Sequence, residues 1–331
     1  MEKKQIIGLV VAALVFVFVC SSSILTNSLA SKMSVEESSS SFLETLSSFE
    51  ESFDLPSEDF VALVDVQGTI MDTQESLAFY SEGYNHSKTI RYIDALIESD
   101  SNTGIFLNVN SPGGGVYESD ELYLKLLEYK EATGRPIWTY MGQLACSGGY
   151  YIAMASDNIV ANRNGQTGSI GVIMSSVNLK ELYDKIGIKE TYYATGPNKT
   201  MGAASLDITK EQEEIINSIL DESFDQFLGI VADGRDMDIA DVKKIADGRI
   251  YTAKQALDLD MIDSIDTYEN TVNSLLDETN SSILYKPVSD RFGFGSLFGA
   301  AMDLKPKSDV EIMSTYLEKQ GNGVPMYYAA P

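Results

Sequence analysis

The chain contains very few of the residues on which metal chemistry and acid–base chemistry usually depend. Among its 331 residues there are one histidine and two cysteines. Zinc sites require three or four nitrogen or sulfur ligands, so the usual zinc centres are excluded, and we expect neither a metal nor a cofactor. Cys20 lies inside an apolar run near the N-terminus, which argues against a disulfide with Cys146.

Positive charge is also scarce. Lysine and arginine total 24 residues against 49 aspartate and glutamate residues, which gives a formal net charge of -25. A surface of this sign repels phosphate backbones, so nucleic acid is excluded as a partner. The charge suits a domain that stays dissolved beside an anionic membrane.

The first 25 residues have the pattern of a single membrane span. Residues 1–5 carry two lysines, and residues 6–25 carry no charged side chain. A helix of that length crosses about 30 Å, the thickness of a bilayer core. Lysines before the span and an acidic chain after it predict a cytoplasmic N-terminus and an extracytoplasmic body anchored in the cell membrane.

Two other interpretations of this N-terminus are weaker. A cleaved signal peptide requires small residues in an A-x-A-like pattern, which Leu29-Ala30-Ser31 matches poorly. A lipoprotein signal requires a small residue before Cys20, where the chain has the bulky Val19. We therefore expect the anchor to be uncleaved.

Three further regions follow the anchor. Residues 26–58 are rich in Ser and Glu and predict a solvated stalk, and residues 282–331 mix Gly with Phe and predict a loosely ordered tail. Between them, residues 59–281 alternate strand and helix patterns, which predicts an α/β domain with a largely parallel sheet. The predicted strands are Phe60–Val64, Gly104–Val109, Pro136–Tyr140, Asn158–Ala161, Ile170–Met174 and Thr191–Ala194. The predicted helices are Thr89–Ile97, Glu118–Thr133 and one that starts near Ser147.

A capping box at Thr209–Gln212 predicts the start of a further, long helix. Apolar residues recur along one face of that helix at helical spacing. They are Ile215, Ile216, Ile219, Leu220, Phe227, Leu228 and Val231. We expect this face to pack against the body of the domain.

Two glycine-rich loops each follow a predicted strand. In Asn110–Gly115 the three glycines allow the backbone to approach a ligand closely and to direct N–H groups at it, although a plain tight turn fits this loop equally well. In the second loop, Ser147 precedes two glycines at the passage from strand to helix. The N–H groups of Gly148 and Gly114 could there bind the oxyanion that a Ser147 nucleophile creates. From this loop alone, a helix-capping role for Ser147 is favoured over a nucleophile, and Cys146 is expected to be a buried apolar thiol.

A serine nucleophile requires a base to take its proton, and two residues are candidates. His86 is in a polar stretch and is expected to be a solvated surface residue. Lys199 lies in Thr195–Gly202, which has no acidic residue to hold the amine charged. A lysine base must be neutral, and lowering its pKa from about 10.4 to about 7–8 requires roughly 4 kcal/mol of desolvation and neighbouring charge. Spacing alone singles out Lys199 only weakly.

In their order and spacing, four motifs together resemble the signal peptide peptidase A family, also called protease IV. They are Asn110–Gly114, Ser147–Tyr151, Thr167–Val172 and the Lys199 loop, and Gly248–Ala256 with Met261–Asp263 resembles the closing segment of the family. The resemblance covers roughly residues 60 to 265. It implies a ClpP/crotonase-like fold, in which a layered parallel sheet is flanked by helices.

The same resemblance implies roles for individual residues. Ser147 would be the nucleophile and Lys199 the general base of a Ser-Lys dyad, and Ser169 would hydrogen-bond the lysine. Gly114 and Gly148 would form the oxyanion hole. Half-length members of this family assemble as rings whose active sites face inward near the membrane, with the serine and the lysine supplied by neighbouring protomers, so a ring-shaped homo-oligomer is expected here.

The expected substrates are signal peptides left in the membrane after secretion, together with other extracytoplasmic peptides. The C-terminus, Pro325–Pro331, combines small and apolar residues of the kind that such a substrate pocket accepts. We therefore hypothesise that this tail binds in the substrate groove of its own enzyme, as an autoinhibitor or as a self-processing site.

Two rival functions remain for the same fold. A crotonase-like acyl-CoA enzyme also uses backbone oxyanion donors, but the anchor and the acidic body argue against CoA, a cytosolic polyanion. A non-catalytic membrane scaffold is the second rival, and the presence of every catalytic position argues against it.

Overall fold

The computed structural model describes residues 53–72, 83–287 and 325–329, and the structural statements below refer to these residues. The predicted anchor and most of the predicted stalk lie outside them. Within the described ranges, no helix is long and apolar enough to cross a membrane.

Ten strands and eight helices make up the described part of the chain. The strands are β1 (Phe60–Gln67), β2 (Asn102–Ser111), β3 (Gly113–Gly115), β4 (Ile137–Cys146), β5 (Asn158–Ala161), β6 (Gln166–Gly168), β7 (Ile250–Thr252), β8 (Ser264–Ile265), β9 (Ile283–Tyr285) and β10 (Met326–Tyr328). The helices are α1 (His86–Glu98), α2 (Val116–Thr133), α3 (Gly148–Ala153), α4 (Lys180–Ile186), α5 (Lys210–Arg235), α6 (Ile239–Ile245), α7 (Ala253–Asp258) and α8 (Tyr268–Glu278).

The main sheet has eight strands and is parallel except for its β6–β7 pair. Its order is β7-β6-β4-β2-β1-β9, and β5 and β8 form a side branch. The branch starts at β4, where Trp138–Met141 pair with β5 and Leu144–Cys146 pair with β6. The long β4 therefore ends beside β6, and Ser147 follows at its tip. The prediction of an α/β domain with a largely parallel sheet is confirmed.

The sequence explains why the central strands lie inside the molecule. β1 and β2 are nearly continuous runs of buried residues, as is typical of parallel strands covered on both faces. The apolar side chains of α1 and α2 pack together, and α2 ends at Gly134 in the left-handed conformation that glycine adopts without strain. The core thus fixes the two loops that follow β2 and β4.

Two predicted strands are wrong. Thr191–Ala194 has no regular secondary structure and is exposed, and Ile170–Met174 is not a strand, although Ile173 forms one antiparallel bridge with Met326. Both segments are rich in β-branched or aromatic residues, which favour strands only where a neighbouring strand is available. The strand that pairs with the end of β4 is instead the three-residue β6, which ends at Gly168.

The chain after residue 282 was expected to be loosely ordered, and its two described parts are strands. β9 adds to the edge of the main sheet beside β1, and β10 pairs with β3. The capping box at Thr209 is confirmed, but the predicted apolar face of α5 is buried only in its second half, at Phe227, Leu228 and Val231. Ile219, in the first half, is 38% exposed.

Candidate active site

Ser147 occupies a strained position between β4 and α3. Its φ of 53° and ψ of -116° are sparsely populated by residues other than glycine, and such strain is concentrated at functional sites. The turn is held by hydrogen bonds from Ser147 N to Gly168 O at 2.7 Å and from Tyr150 N and Tyr151 N to Ser147 O, each at 2.9 Å. The surrounding backbone therefore determines this conformation.

The hydroxyl of Ser147 is buried and has no hydrogen-bond partner among the described residues. It does not cap α3, so the capping interpretation is wrong. A buried hydroxyl without a partner loses the hydrogen bonds it would make with water, and such groups usually have a functional explanation. This hydroxyl is free to act on a molecule that enters the site.

Gly148 and Gly114 lie against each other beside Ser147. A Cβ atom on Gly148 would lie 3.2 Å from Gly114 N and 2.4 Å from Ser119 Oγ, so a side chain at Gly148 would collide with its neighbours. The two predicted oxyanion donors are thus brought together, one from the middle of β3 and one from the start of α3. Paired backbone N–H groups of this kind bind developing negative charge.

Lys199 is not brought to Ser147 within one chain. Its side chain is exposed, and it makes no hydrogen bond with the Ser147 hydroxyl. No residue from 171 to 211 is buried, so the segment that carries Lys199, including α4, contributes no buried side chain to the core. We call residues 171–211 the unburied segment.

Ser169 lies one residue beyond β6 and is mostly buried. Its φ is 51°, and its N–H donates to Arg249 O at 2.8 Å. Because Cys146 pairs with Gly168 at the end of β6, Ser169 is close to the Ser147 turn. The hydrogen bond between Ser169 and Lys199 that the resemblance implies is not formed within one chain.

Cys146 was the alternative nucleophile and His86 the alternative base, and the structure shows the surroundings of both. Cys146 is buried as predicted, and burial raises the pKa of its thiol to about 12, so the reactive thiolate is suppressed. His86 was expected to be solvated, and this is wrong, because it is buried as the first residue of α1. Its Nδ1 is 2.6 Å from Tyr84 Oη and its Nε2 is 2.7 Å from Glu121 Oε2. Both ring nitrogens are engaged away from Ser147.

β10 crosses the site next to the paired glycines. It pairs antiparallel with Gly113–Gly115 on one side. On the other side, Met326 and Ile173 exchange two backbone hydrogen bonds of 2.9 and 3.0 Å. The segment is therefore held as an extra strand between two edges that border Ser147.

Tyr327 of β10 fills a cavity that the sequence analysis did not identify. Its ring is fully buried, with centroid distances of 4.8 Å to Tyr151 and 4.7 Å to Phe227. Tyr151 belongs to the motif after Ser147, and Phe227 belongs to the predicted apolar face of α5. Both residues could have been noted as apolar, but only the fold shows that they face each other.

Comparison with known proteins gives a consistent assignment. Residues 129–282 match the family described as Peptidase family S49. A protein of Enterococcus faecium, named provisionally as signal peptide peptidase SppA, is 36% identical over 280 residues, which cover 81% of this chain and 80% of that protein. Protease 4 of Haemophilus influenzae is 29% identical over 223 residues, which cover 67% of this chain and 35% of the relative. The chloroplastic serine protease SPPA of Arabidopsis thaliana is 30% identical over 210 residues, which cover 62% of this chain and 30% of the relative.

A strained serine hydroxyl without a hydrogen-bond partner is typical of a serine protease, and the matched residues 129–282 include Ser147 and Gly148, whereas Gly114 lies before them. The chain therefore belongs to the signal peptide peptidase A family of S49 peptidases and is a serine protease.

Proposed function

We propose that Ser147 is the nucleophile of this protease and that Lys199 of a neighbouring copy is its general base. The observation that carries the proposal is the buried hydroxyl of Ser147, which has no partner among the described residues and lies beside Gly148 and Gly114. His86 is engaged elsewhere and Cys146 is held as a thiol, so neither replaces these two residues.

The proposed reaction has two stages. A neutral Lys199 amine takes the proton of Ser147 as the serine oxygen attacks a peptide carbonyl carbon, and the carbonyl oxygen becomes an oxyanion held by Gly148 and Gly114 N–H. The peptide C–N bond then breaks, and the lysine gives its proton to the leaving amine. In the second stage, the lysine takes a proton from water as the water oxygen attacks the acyl carbon. The ester C–O bond then breaks, and the lysine returns the proton to the departing Ser147 oxygen.

The exposure of Lys199 is the reason for placing the base on another copy. An amine in water keeps its proton at neutral pH, so a lysine base must be desolvated by something that covers it. Ten of the fifteen exposed large apolar side chains of the described residues lie between Ile173 and Ile219. A surface of this kind is typical of a protein interface, and it supports the expected ring-shaped homo-oligomer.

The proposed substrates are remnant signal peptides and other extracytoplasmic peptides. The name of the Enterococcus faecium relative supports this class for that protein, and we extend it to this chain. The uncharged residues 6–25 would anchor the enzyme in the membrane where such peptides remain. A localisation outside the cytoplasm follows from the same anchor.

We extend the proposal to the C-terminal tail. An extended peptide that adds a strand to an exposed edge is a common mode of peptide recognition, and β10 is paired in this way with Gly113–Gly115. The tail would therefore occupy the substrate groove of its own chain and either inhibit the enzyme or be processed by it.

The experiment measures hydrolysis of fluorogenic peptides by the full chain in detergent. We expect Ser147→Ala and Lys199→Ala each to lower kcat at least about 1,000-fold. Lys189→Ala, which removes another exposed lysine of the unburied segment, is the matched control and should keep full activity.

Mixing the two inactive variants separates a shared site from a site within one chain. Assemblies that contain both Ser147→Ala and Lys199→Ala subunits should regain part of the activity, because some sites would combine an intact serine with an intact lysine. Activity of Lys199→Ala equal to that of the unaltered chain would overturn the assignment of the base. Turnover of an acyl-CoA without peptide hydrolysis would favour the rival enzyme, and neither activity would favour the scaffold.

A further inference from the structure

Two helices begin with the same Thr-x-x-Gln capping box, and the two glutamines differ in their surroundings. In α7, Gln255 is exposed, and its side-chain oxygen accepts a hydrogen bond from the Thr252 N–H at 3.0 Å. In α5, Gln212 is only 8% exposed. It is the one buried residue from 171 to 226, a range that the structure describes throughout. Since Gln255 caps its helix without being buried, the burial of Gln212 indicates a second role.

Both ends of the Gln212 amide form hydrogen bonds. Its Oε1 accepts from the Thr209 N–H at 3.1 Å and so completes the capping box. Its Nε2 donates to the carbonyl oxygen of Pro197 at 3.3 Å. Pro197 lies two positions before Lys199, in the Lys199 loop (Thr195–Gly202). The side chain therefore connects the first turn of α5 to the loop that carries the proposed base.

A second contact attaches the same loop to the same helical turn. Asn198 Nδ2 donates to Glu211 Oε1 at 3.4 Å. Inside the loop, Lys199 N donates to Gly196 O at 3.3 Å and Met201 N donates to Asn198 O at 3.2 Å. The loop is therefore a short series of turns, which two neighbouring side chains of α5 hold immediately before the lysine.

The helix that holds the loop is itself fixed to the core. Phe227, Leu228 and Val231 in its second half are buried. The helical rise places Gln212 about 22 Å before Phe227 along α5. A continuous helix therefore links the core to the Lys199 loop. A reacting group that is misplaced by about 1 Å can lose about 100-fold in rate, so a base on an exposed loop requires a support of this kind.

We infer that Gln212 is a positioning residue for the proposed base, because its amide fixes the Lys199 loop to α5. The role of Lys199 rests on the proposed function, whereas the attachment of the loop does not. The competing role for Gln212 is helix capping alone. The two roles use different atoms, since Oε1 caps α5 and Nε2 holds the loop, so one substitution can separate them.

The first test replaces Nε2 and keeps the capping oxygen. In Gln212→Glu, the carboxylate still accepts from the Thr209 N–H, and its charge is favourable at the start of a helix. It cannot donate to Pro197 O, so the loop is released. We expect kcat to fall about 3- to 10-fold through loss of one hydrogen bond, with KM and Tm unchanged. The comparison is made on the alkaline plateau of the pH profile, where the added charge no longer affects protonation of the lysine.

A matched control for this substitution exists in α7. Gln255→Glu makes the same change in the other capping box, where the glutamine Nε2 has no hydrogen-bond partner among the described residues. It should leave kcat, KM and Tm unchanged. Full kcat of Gln212→Glu on the alkaline plateau would overturn the inference.

The second test asks which half of the shared site Gln212 supports. In a randomly mixed assembly, Ser147→Ala subunits supply intact lysine loops to the serines of Gln212→Glu subunits. Mixing equal amounts should therefore raise activity about 2- to 5-fold above the sum of the separate assemblies. Lys199→Ala subunits supply no lysine, so mixing them with Gln212→Glu subunits should give no gain. The same result with both partners, or a gain with Lys199→Ala alone, would overturn the inference.

The third test measures the attachment of the loop without catalysis. In the full-length Ser147→Ala protein, hydrogen exchange is followed at the amides of Lys199 and Met201, which donate within the loop. Gln212→Glu should speed this exchange about 3- to 10-fold, and Gln255→Glu should not change it. Unchanged exchange in Gln212→Glu would show that the amide does not hold the loop.

These tests distinguish failure of the inference from failure of the proposed function. If Lys199→Ala is inactive while Gln212→Glu keeps full kcat, the inference is refuted and the peptidase mechanism stands. If Lys199→Ala keeps full activity, the proposed base is wrong and the catalytic role of Gln212 is refuted with it. The exchange rates then decide whether Gln212 holds the loop.

Discussion

The neighbourhood of Ser147 and the unburied segment differ in almost every structural respect. Ser147 and the residues from Tyr150 to Ala153 are buried by their own chain. In residues 171–211 no side chain is buried, and Tyr193 is 97% exposed. The neighbourhood of Ser147 is therefore buried within a single folded chain, whereas the unburied segment presents apolar side chains to water.

This difference matters because the proposed oxyanion donors and the proposed lysine base have different physical requirements. Backbone amides act as oxyanion donors only when packing fixes them in place, and the core around β4 supplies that rigidity. A lysine base requires desolvation, which the unburied segment cannot provide for itself. The proposed division of the site between two copies follows from these two requirements.

Apart from the loss of Ser147 or Lys199 themselves, the largest effect should come from disturbing the rigid region. Gly148→Ala would place a Cβ atom 2.4 Å from Ser119 Oγ and 3.2 Å from Gly114 N, displacing one donor. We expect kcat to fall about 100- to 1,000-fold, as when one oxyanion donor is lost. Thermal unfolding reports any accompanying loss of stability.

A matched control is available for this glycine. Gly229 of α5 has no atom within 4 Å of its would-be Cβ, so Gly229→Ala should keep full activity. If Gly148→Ala does not fold, the double variant with Ser119→Gly removes the closest atom and should restore folding without restoring activity. Full activity of the folded Gly148→Ala protein would contradict the assignment of this amide.

The second effect is on pH dependence and concerns the lysine. A lysine acts as a base only after losing its proton, so kcat/KM should rise from pH 6 into the alkaline range by about tenfold per pH unit until half of the amine is neutral. Peptide hydrolysis between pH 6 and 9 measures this rise. A flat profile over that range would speak against a titrating amine.

The third effect tests whether a second copy covers the unburied segment. Leu182 and Ile186 of α4 are 49% and 59% exposed. Replacing both by Ser should weaken association and lower specific activity about 3- to 10-fold at low protein concentration, with the loss reversed by concentrating the enzyme. Sedimentation measures the association directly.

Ile239 of α6 provides the comparison for these substitutions. It is 44% exposed but lies outside the unburied segment. Ile239→Ser should therefore leave unchanged both the mass of the assembly in sedimentation and the specific activity. An unaltered assembly after the α4 substitutions would mean that this surface is not the interface.

The smallest effect concerns Glu121, whose pKa is lowered by the hydrogen bond with His86. A carboxyl with a lowered folded-state pKa contributes stability above its unfolded pKa, and this contribution is lost as the pH falls through the lowered value. Glu121→Gln should therefore lower Tm by a few degrees at pH 7, and the difference should shrink in acid. Hydrolysis should be unaffected. A Tm difference that is constant from pH 7 to pH 3 would show that ionisation of Glu121 is irrelevant.

Much of the rigid region could be predicted from sequence because its signals are local. The periodicity around Phe60 and Gly104, the capping box at Thr209 and the glycine loops each describe a few consecutive residues, and the structure contains the corresponding elements. Gly114 and Gly148 meet because their loops follow the neighbouring parallel strands β2 and β4, whose carboxyl ends lie at the same edge of the sheet.

The remaining features depend on contacts that no local pattern encodes. β10 pairs with residues about 200 positions earlier, and Tyr151 meets Phe227 only after α3 and α5 pack. The strand expected at Thr191–Ala194 reflects the residue types of that segment, but no strand among the described residues pairs with it. His86 looked solvated because its partner Glu121 lies 35 positions away.

The covalent attachment of β10 has a consequence for which peptides gain access to the site. A ligand that belongs to the same chain as its binding site has a local concentration that can reach the order of millimolar, however dilute the protein. A peptide dissolved in bulk water would have to exceed that level to displace the strand. Peptides confined to the plane of a membrane beside the enzyme reach such levels far more easily, so the attached strand would act as a threshold that spares dilute peptides.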